Sequence, residues 1–493
     1  MQHRPPAPSP QPSPVSRKRE PVFPSPTKWA REGPVAQQRQ GEGEGARQAF
    51  AAALERQNAG DIEGALALYR RTIEFDPGFG DAYNNLAILL NTQGKELASV
   101  ACLRRAVALG PASMVLYANL GNYLRRIGRY EEATAALDRA LEMAPEQPEV
   151  LYRYALLLDE IGQSERAIDL LDRAIAARPD DVEMLWTRAC VQLRVGDFER
   201  GLAGYEIRFR RKETALGCFT MPMWAGESVA DQTILVHTEQ GFGDTVQLVR
   251  LLPMLAARGA RVWFSCPPEM MRLMAGFPGI DRLLVHGATM PGHVDYHVPL
   301  LSLPYRLGLT LESIPTAVPY LTPPAGVSGP PVPRPPGTKL AVGIAWAGNP
   351  KQANDANRSM PLEHFFALSD LPGVALYSLQ KGARAGDLAA LGFDSFVHDL
   401  GPRLSDFADT AAAMMRLDLI VSICSAPAHL AGALGRPTFV PLTLRPHWLW
   451  MREREHTPWY PTLRLFRQEK RGDWAGVMLR VRAAVEAMCR ERS

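Results

Sequence analysis

Residues 60–94, GDIEGALALYRRTIEFDPGFGDAYNNLAILLNTQG, decide the fold, because their features return along the chain at a fixed interval. Glycine recurs at Gly60, Gly94, Gly128, Gly162 and Gly196, and proline at Pro77, Pro111, Pro145 and Pro179, each 34 residues after the last. Two more registers hold small residues: Ala65, Ser99, Ala133, Ala167 and Gly201, then Ala87, Gly121, Ala155 and Ala189. Glycine frees the backbone for a turn, proline stops a helix, and small side chains let helices touch. Each unit is therefore predicted to be a helix, a turn at glycine, a second helix and a proline stop. Such a pair cannot bury its apolar stripe alone, so the units must stack.

The period and its residues resemble the tetratricopeptide repeat, which implies an α-solenoid over residues 46–212 with a concave binding wall. On the inner helices one register reads Asn85, Asn119, Arg153 and Thr187. An amide both donates and accepts, so stacked amides suit an extended polypeptide of almost any sequence. Asn85 and Asn119 are similar to two rungs of the asparagine ladder of O-linked N-acetylglucosamine transferases, and are read as acceptor-binding. Taken alone, the same residues also fit ordinary solvent-facing positions.

On the amino-terminal side, residues 1–45 hold ten prolines and few large apolar residues, the composition of a disordered tail. On the carboxyl-terminal side the pattern changes to short apolar runs alternating with helical stretches. TILVHT (233–238), RVWFSC (261–266), RLLVHG (282–287), LAVGIAWAG, VALYSLQ, DLIVSIC and PTFVPL are predicted strands. Strands separated by helices predict parallel α/β sheets of the doubly wound kind. A Pro-rich stretch, 323–338, divides them into Rossmann-like lobes at 213–322 and 339–493, with ligands at the carboxyl ends of the strands.

Bulk properties narrow the function. The net charge is +3, and beyond residue 45 the charges balance at 48 of each sign, which argues against a nucleic-acid partner. The first twenty residues lack an apolar core behind their positive charges, and no uninterrupted apolar run reaches membrane-spanning length, so a cytoplasmic protein without a membrane span is expected. Six scattered cysteines without a C-x-x-C pair read as reduced thiols.

Chemistry concentrates in four places. In HTEQGFGDTVQLVRLLP, Gly241 and Gly243 allow close approach of backbone to a ligand, and Asp244 sits at a helix start as either an N-cap or a catalytic group. Lys381 and Gln380 stand just beyond a strand, where an ammonium reaches a phosphate and an amide a base or sugar; Arg358 and Lys381 are otherwise surface charges. DLIVSICSAPAHLAGALGRP runs from a buried strand into a helix whose first turn, preorganised by Pro427, offers free N–H groups to a diphosphate. His429 lies one turn in, as a ligand contact or a structural residue. His293, Asp295 and His297 alternate, but with no further ligand cluster and no D-x-D they are not read as a metal site.

The order E-Q-G-x-G-D-T, W-A-G-N-P…N-R-S-x-P-L, A-H-L-A-G-A-L-G and W-Y-P-x-L-R-L-F-R-Q resembles tetratricopeptide-repeat proteins that carry a heptosyltransferase-like domain of the two-lobed GT-B fold. That resemblance implies a metal-independent, inverting glycosyltransferase. Its donor substrate is a nucleoside-diphosphate sugar, with no separate cofactor, and its acceptor a hydroxyl on Ser or Thr of a protein held by the repeats. It makes Asp244 the general base and Arg358 the basic phosphate contact, and places Gly243, Asn349, Gln380, Lys381, Cys424, Ser425 and His429 on the donor side. Flagellin is a candidate acceptor by analogy with flagellin-modifying enzymes of the same layout; a glycan or lipid acceptor, or a catalytically reduced scaffold, is the alternative. One departure stands out: relatives carry an acidic residue before Thr or Ser where this chain has Cys424 and Ser425, implying altered donor choice or reduced activity.

Overall fold

A computed structural model describes residues 35–110, 113–211, 219–352 and 355–492. Residues 1–34, most of the expected tail, lie outside the described residues, as do Pro111 and Cys218. The chain divides into two compact units: residues up to 127 with 138–143, and residues 128–137 with 144 onward.

Among the described residues five helix pairs come first: α1 (Val35–Asn58) and α2 (Ile62–Phe75), α3 (Gly80–Thr92) and α4 (Glu96–Leu109), α5 (Met114–Arg126) and α6 (Tyr130–Met143), α7 (Pro148–Glu160) and α8 (Ser164–Ala177), α9 (Val182–Val195) and α10 (Phe198–Tyr205). Helix α1 takes in residues 35–45, which composition assigned to the tail. All five register glycines have φ between 73° and 93°, a conformation that costs any other residue a clash. Ala65, Ser99, Ala133 and Ala167 are fully buried, as are Ala87, Ala155 and Ala189. Ser99 Oγ donates to the Ala87 carbonyl at 2.7 Å, a contact that only small residues permit. Asp61, Asp181 and Asp197 cap α2, α9 and α10 by accepting backbone N–H groups.

Two parallel sheets follow. The first holds β1 (Thr233–His237), β2 (Arg261–Cys266), β3 (Arg282–Val285) and β4 (Tyr296–Pro299) in the order β3-β2-β1-β4. Its helices are α11 (Phe242–Leu248), α12 (Leu252–Ala256), α13 (Met271–Met274) and α14 (Leu303–Arg306). The second holds β5 (Leu340–Ala345), β6 (Val374–Ser378), β7 (Val397–Asp399), β8 (Leu419–Ser422), β9 (Thr438–Leu442), β10 (His456–Thr457) and β11 (Tyr460–Arg467), ordered β10-β11-β9-β8-β5-β6-β7. Only β10 runs antiparallel. Its helices are α15 (Asp355–Arg358), α16 (Phe366–Ser369), α17 (Asp387–Ala390), α18 (Phe407–Met414), α19 (Ala426–Ala433) and α20 (Trp474–Glu491).

Strands β1, β5, β8 and β9 are buried along their whole length, as parallel strands covered on both faces must be. The seven apolar runs read as strands all form strands. Strand order reverses beside β1, where β2 and β4 flank it, and beside β5, where β6 and β8 flank it. Crevices at the carboxyl ends of such neighbours are where α/β sheets lodge ligands. The Pro-rich stretch lies along the second sheet's lobe, where Arg416 Nη1 donates to the Pro330 carbonyl at 3.3 Å and Arg334 pairs with Asp418 at 2.8 Å. No helix among the described residues is long and apolar enough to cross a membrane.

Candidate functional site

Loops from both reversal points converge. The chain leaves β1 at His237, turns through Thr238–Gly241 and starts α11 at Phe242, so Asp244 lies in its first turn. Asp244 stays partly accessible, yet its carboxyl is pushed up to about 6. Desolvation is the main cause and the charge of Glu239 the second, against the opposing pull of Arg358. Arg358 reaches this point from α15, beyond β5. Its Nε donates to Asp355 Oδ1 at 3.2 Å and its Nη1 to the Cys424 carbonyl at 3.5 Å, while Nη2 donates to Gln352 Oε1. Gly348 lies beneath the guanidinium, so close that any side chain would collide with Asp355 and Arg358.

Cys424 and Ser425 stand beyond β8, the strand beside β5. The Trp450 indole N–H donates to Cys424 Sγ at 2.8 Å, and burial pushes the thiol above its ordinary range, so Cys424 is a neutral thiol. Ser425 is the N-cap residue of α19, but its hydroxyl turns to Ser422 Oγ (3.3 Å) and the Ile423 carbonyl (3.4 Å) rather than capping the helix. Asp244, Arg358, Cys424 and Ser425, separated by 181 residues from first to last, are thus gathered at one place.

Three sequence-predicted residues have other occupations. Gln380 is buried, and all four of its amide bonding positions are taken: Oε1 accepts from Trp346 N and Ala347 N, and Nε2 donates to the Ala347 and Lys381 carbonyls, at 2.9–3.1 Å. It braces the loop after β5, with nothing left to offer a base or sugar. Lys381 Nζ donates to the Gly401 and Leu404 carbonyls at 3.2 and 2.6 Å, tying two loops. His429 is enclosed: Nδ1 lies 3.1 Å from Tyr460 Oη, the ring packs on Trp450 at 4.9 Å, and burial, then the charges of His447, Arg250 and Arg358, bring its pKa down to about 3. It is a neutral packing residue at neutral pH. Asn349 is exposed and turns the loop, its Oδ1 accepting from Lys351 N at 3.0 Å.

In the first unit, Asn85 and Asn119 join one file of side chains. Asn119 donates to Asn84 Oδ1 (2.9 Å), Asn84 to Asn85 Oδ1 (3.2 Å), Asn85 to Tyr69 Oη (3.3 Å) and Tyr69 to Gln57 Oε1 (2.7 Å). His293 pairs at the surface with Asp295 at 3.1 Å, whereas His297 turns inward to His237, Nδ1 to Nε2 at 3.2 Å. No group of three metal-ligating side chains occurs among the described residues. Sequence reasoning gave no individual role to Glu239, Asp355 or Trp450, although Glu239 sits in the E-Q-G-x-G-D-T motif and Trp450 in an aromatic stretch, 445–461, read as packing with some acceptor or nucleotide contact.

The tetratricopeptide repeat family matches residues 50–113 and 125–187, so these segments are tetratricopeptide repeats. Protein FlbA of Caulobacter vibrioides is 28% identical over 320 residues, 58% of this chain and 52% of that protein. The chain therefore spans about half the length of this curated relative. Among solved structures, a MamA protein is 20% identical over 36% of this chain and 100% of its own, with a TM-score of 0.30. YrrB, a repeat protein with an unusual peptide-binding site, is 17% identical over 33% and 84% (TM-score 0.29). PilF of Pseudomonas aeruginosa is 21% identical over 34% and 76% (TM-score 0.31).

Proposed function

We propose that this chain is a repeat scaffold that captures a protein partner and, on its α/β region, transfers a sugar from a nucleoside-diphosphate sugar to a hydroxyl of that partner. The observation that carries the transferase half is the gathering of Asp244, Arg358 and the amino-terminal turn of α19 at the two points of strand reversal. The α/β region is then a two-lobed GT-B fold. Asp244 takes the proton of the acceptor hydroxyl, whose oxygen bonds to the anomeric carbon as the bond from that carbon to the diphosphate breaks. Arg358 and backbone N–H groups at α19 receive the departing negative charge, without a metal. A base whose pKa stands near 6 is ionised at neutral pH and still basic enough to accept a proton.

A second reading is a scaffold without turnover. Two observations favour it: the family matches fall in the repeats, and Cys424 is committed to Trp450. Incubating purified protein with a panel of nucleotide sugars and cell extract separates the two. Donor consumption that disappears in Asp244→Asn supports the transferase; partner capture without consumption of any donor supports the scaffold.

A further inference from the structure

A buried arginine at the end of the repeats grips the loop before Asp244. Arg208 belongs to a short helical turn, Glu206–Arg210, that continues α10. It is wholly buried, and its donors are engaged on every side. Nε and Nη2 grip the two carboxylate oxygens of Glu239 at 3.1 and 2.8 Å, and Nη2 also reaches Ser302 Oγ at 2.7 Å. Nη1 donates to Glu206 and to the Tyr205 carbonyl, and the Phe209 ring lies 4.0 Å from the guanidinium carbon. Glu206 in turn accepts from Ser302 Oγ at 2.9 Å and from Arg306 Nη2 at 3.2 Å. The Glu239 side chain is 3% exposed, and the residue stands between β1 and Gly241. A fork-to-fork pair of this kind fixes orientation as well as distance.

We propose that Arg208 is a positioning residue that holds the Thr238–Gly241 loop through Glu239 and so couples the end of the repeats to the setting of Asp244. The proposal rests on the transferase reading only for its significance, since the coupling is a property of the fold. Glu239 from its own loop and Arg358 from α15 act on Asp244 by charge, and Cys424 from the turn before α19 and Tyr205 from α10 are its un-ionised neighbours. Of these, Arg208 grips Glu239 directly, and its guanidinium carbon lies 5.4 Å from the ring of Tyr205.

The test titrates Asp244 itself. In full-length protein with carbon-13-labelled aspartate, the Asp244 carboxyl resonance is identified by its loss in Asp244→Asn and followed over pH. Arg208→Lys, which retains charge but loses the two-pronged grip, and Glu239→Gln are expected each to move the Asp244 midpoint by at least about half a unit. UDP binding should stay within about twofold of wild type. Ser302→Ala, a milder cut in the same network, serves should Arg208→Lys fail to fold. An unmoved midpoint in Glu239→Gln and in the Arg208 or Ser302 variant overturns the proposal. Because the readout needs no turnover, a chain that consumes no donor but shows the shift overturns the transferase reading alone.

Discussion

A methyl group placed on Gly243 would lie 2.8 Å from Cδ2 of His429, so α11 and α19 meet with a glycine seated against an imidazole. This contact, rather than the backbone conformation, requires glycine here, because Gly243 is not among the positive-φ glycines. His429 cannot give way, being held between Trp450 and Tyr460. Gly243→Ala is expected to cost about 1–3 kcal/mol of stability in chemical denaturation, the usual penalty of overpacking. In a His429→Ala background the penalty should shrink by more than about 0.5 kcal/mol, the signature of direct contact. Equal penalties in both backgrounds would mean that the helices meet differently.

Asp244 yields a prediction in pH. Its pKa of about 6 in the folded chain lies above the roughly 3.9 of an unfolded aspartate. Between these values the folded state holds the proton longer, so unfolding releases it and stability falls as pH rises. Asp244→Asn lacks this group and should therefore gain stability relative to wild type between about pH 4 and pH 6, the gain levelling off above. Urea denaturation of both proteins across that range checks it. Transfer by wild type should rise over the same window as the base ionises, and Asp244→Asn should lose at least about a hundredfold in rate at neutral pH.

How much was legible in the sequence follows from where each constraint acts. The 34-residue glycine register was readable because a left-handed turn demands glycine locally, at every repeat. The small residues at Ala65 and Ala133 were readable for the same reason, since each answers to its own helix contact. Arg208 was invisible because its partners, Glu239 and Ser302, lie 31 and 94 residues away at no repeating interval. Gln380 stood in a marked position, but the direction of its amide depends on backbone brought in from β5. Among strands, β4 hid within the histidine alternation, β7 and β10 are three and two residues long, and β11 carries Pro461 and two arginines. Asp244 and Arg358 were named from motifs, whereas the action of Glu239 on Asp244 and the bond of Trp450 to Cys424 came only with the geometry.

Asp159, on α7, is fully buried among three guanidinium groups: Arg194 at 2.6 Å, Arg445 at 2.8 Å and Arg452 at 3.3 Å. Burial alone would raise its pKa, but the three arginines outweigh it and hold the carboxyl below its ordinary value. Asp159→Ala leaves those cations crowded without their counter-charge. A loss of about 3–5 kcal/mol is expected, as for other broken buried pairs. For wild type the sign of the pH effect is the reverse of that for Asp244. A depressed carboxylate stabilises fully above the unfolded value near 4, and its contribution is lost as pH falls through the folded one. Thermal unfolding of Asp159→Ala at neutral pH close to wild type would show that the cluster adds nothing.

The amide file in the first unit tests whether the repeats read a polypeptide. Asn119 is buried and bonds to Asn84 on the helix one repeat earlier, so it joins repeats whatever else it does. Asn85 is partly exposed and bonds to Asn84 and Tyr69, leaving capacity in its amide for a passing peptide group. The two should therefore separate. Asn119→Ala is expected to lower stability by about 0.5–1.5 kcal/mol, the usual worth of one internal hydrogen bond, and to weaken partner binding only in step with that loss. Asn85→Ala should leave unfolding within about 0.5 kcal/mol of wild type while raising the dissociation constant for a captured partner several-fold. If the partner is also an acceptor, its KM should rise with donor affinity unchanged, as when a remote binding group is lost. Calorimetric unfolding and partner titration on the same preparations decide the matter. Wild-type affinity in Asn85→Ala would assign the whole file to holding repeats together, and the partner would have to be sought on another face.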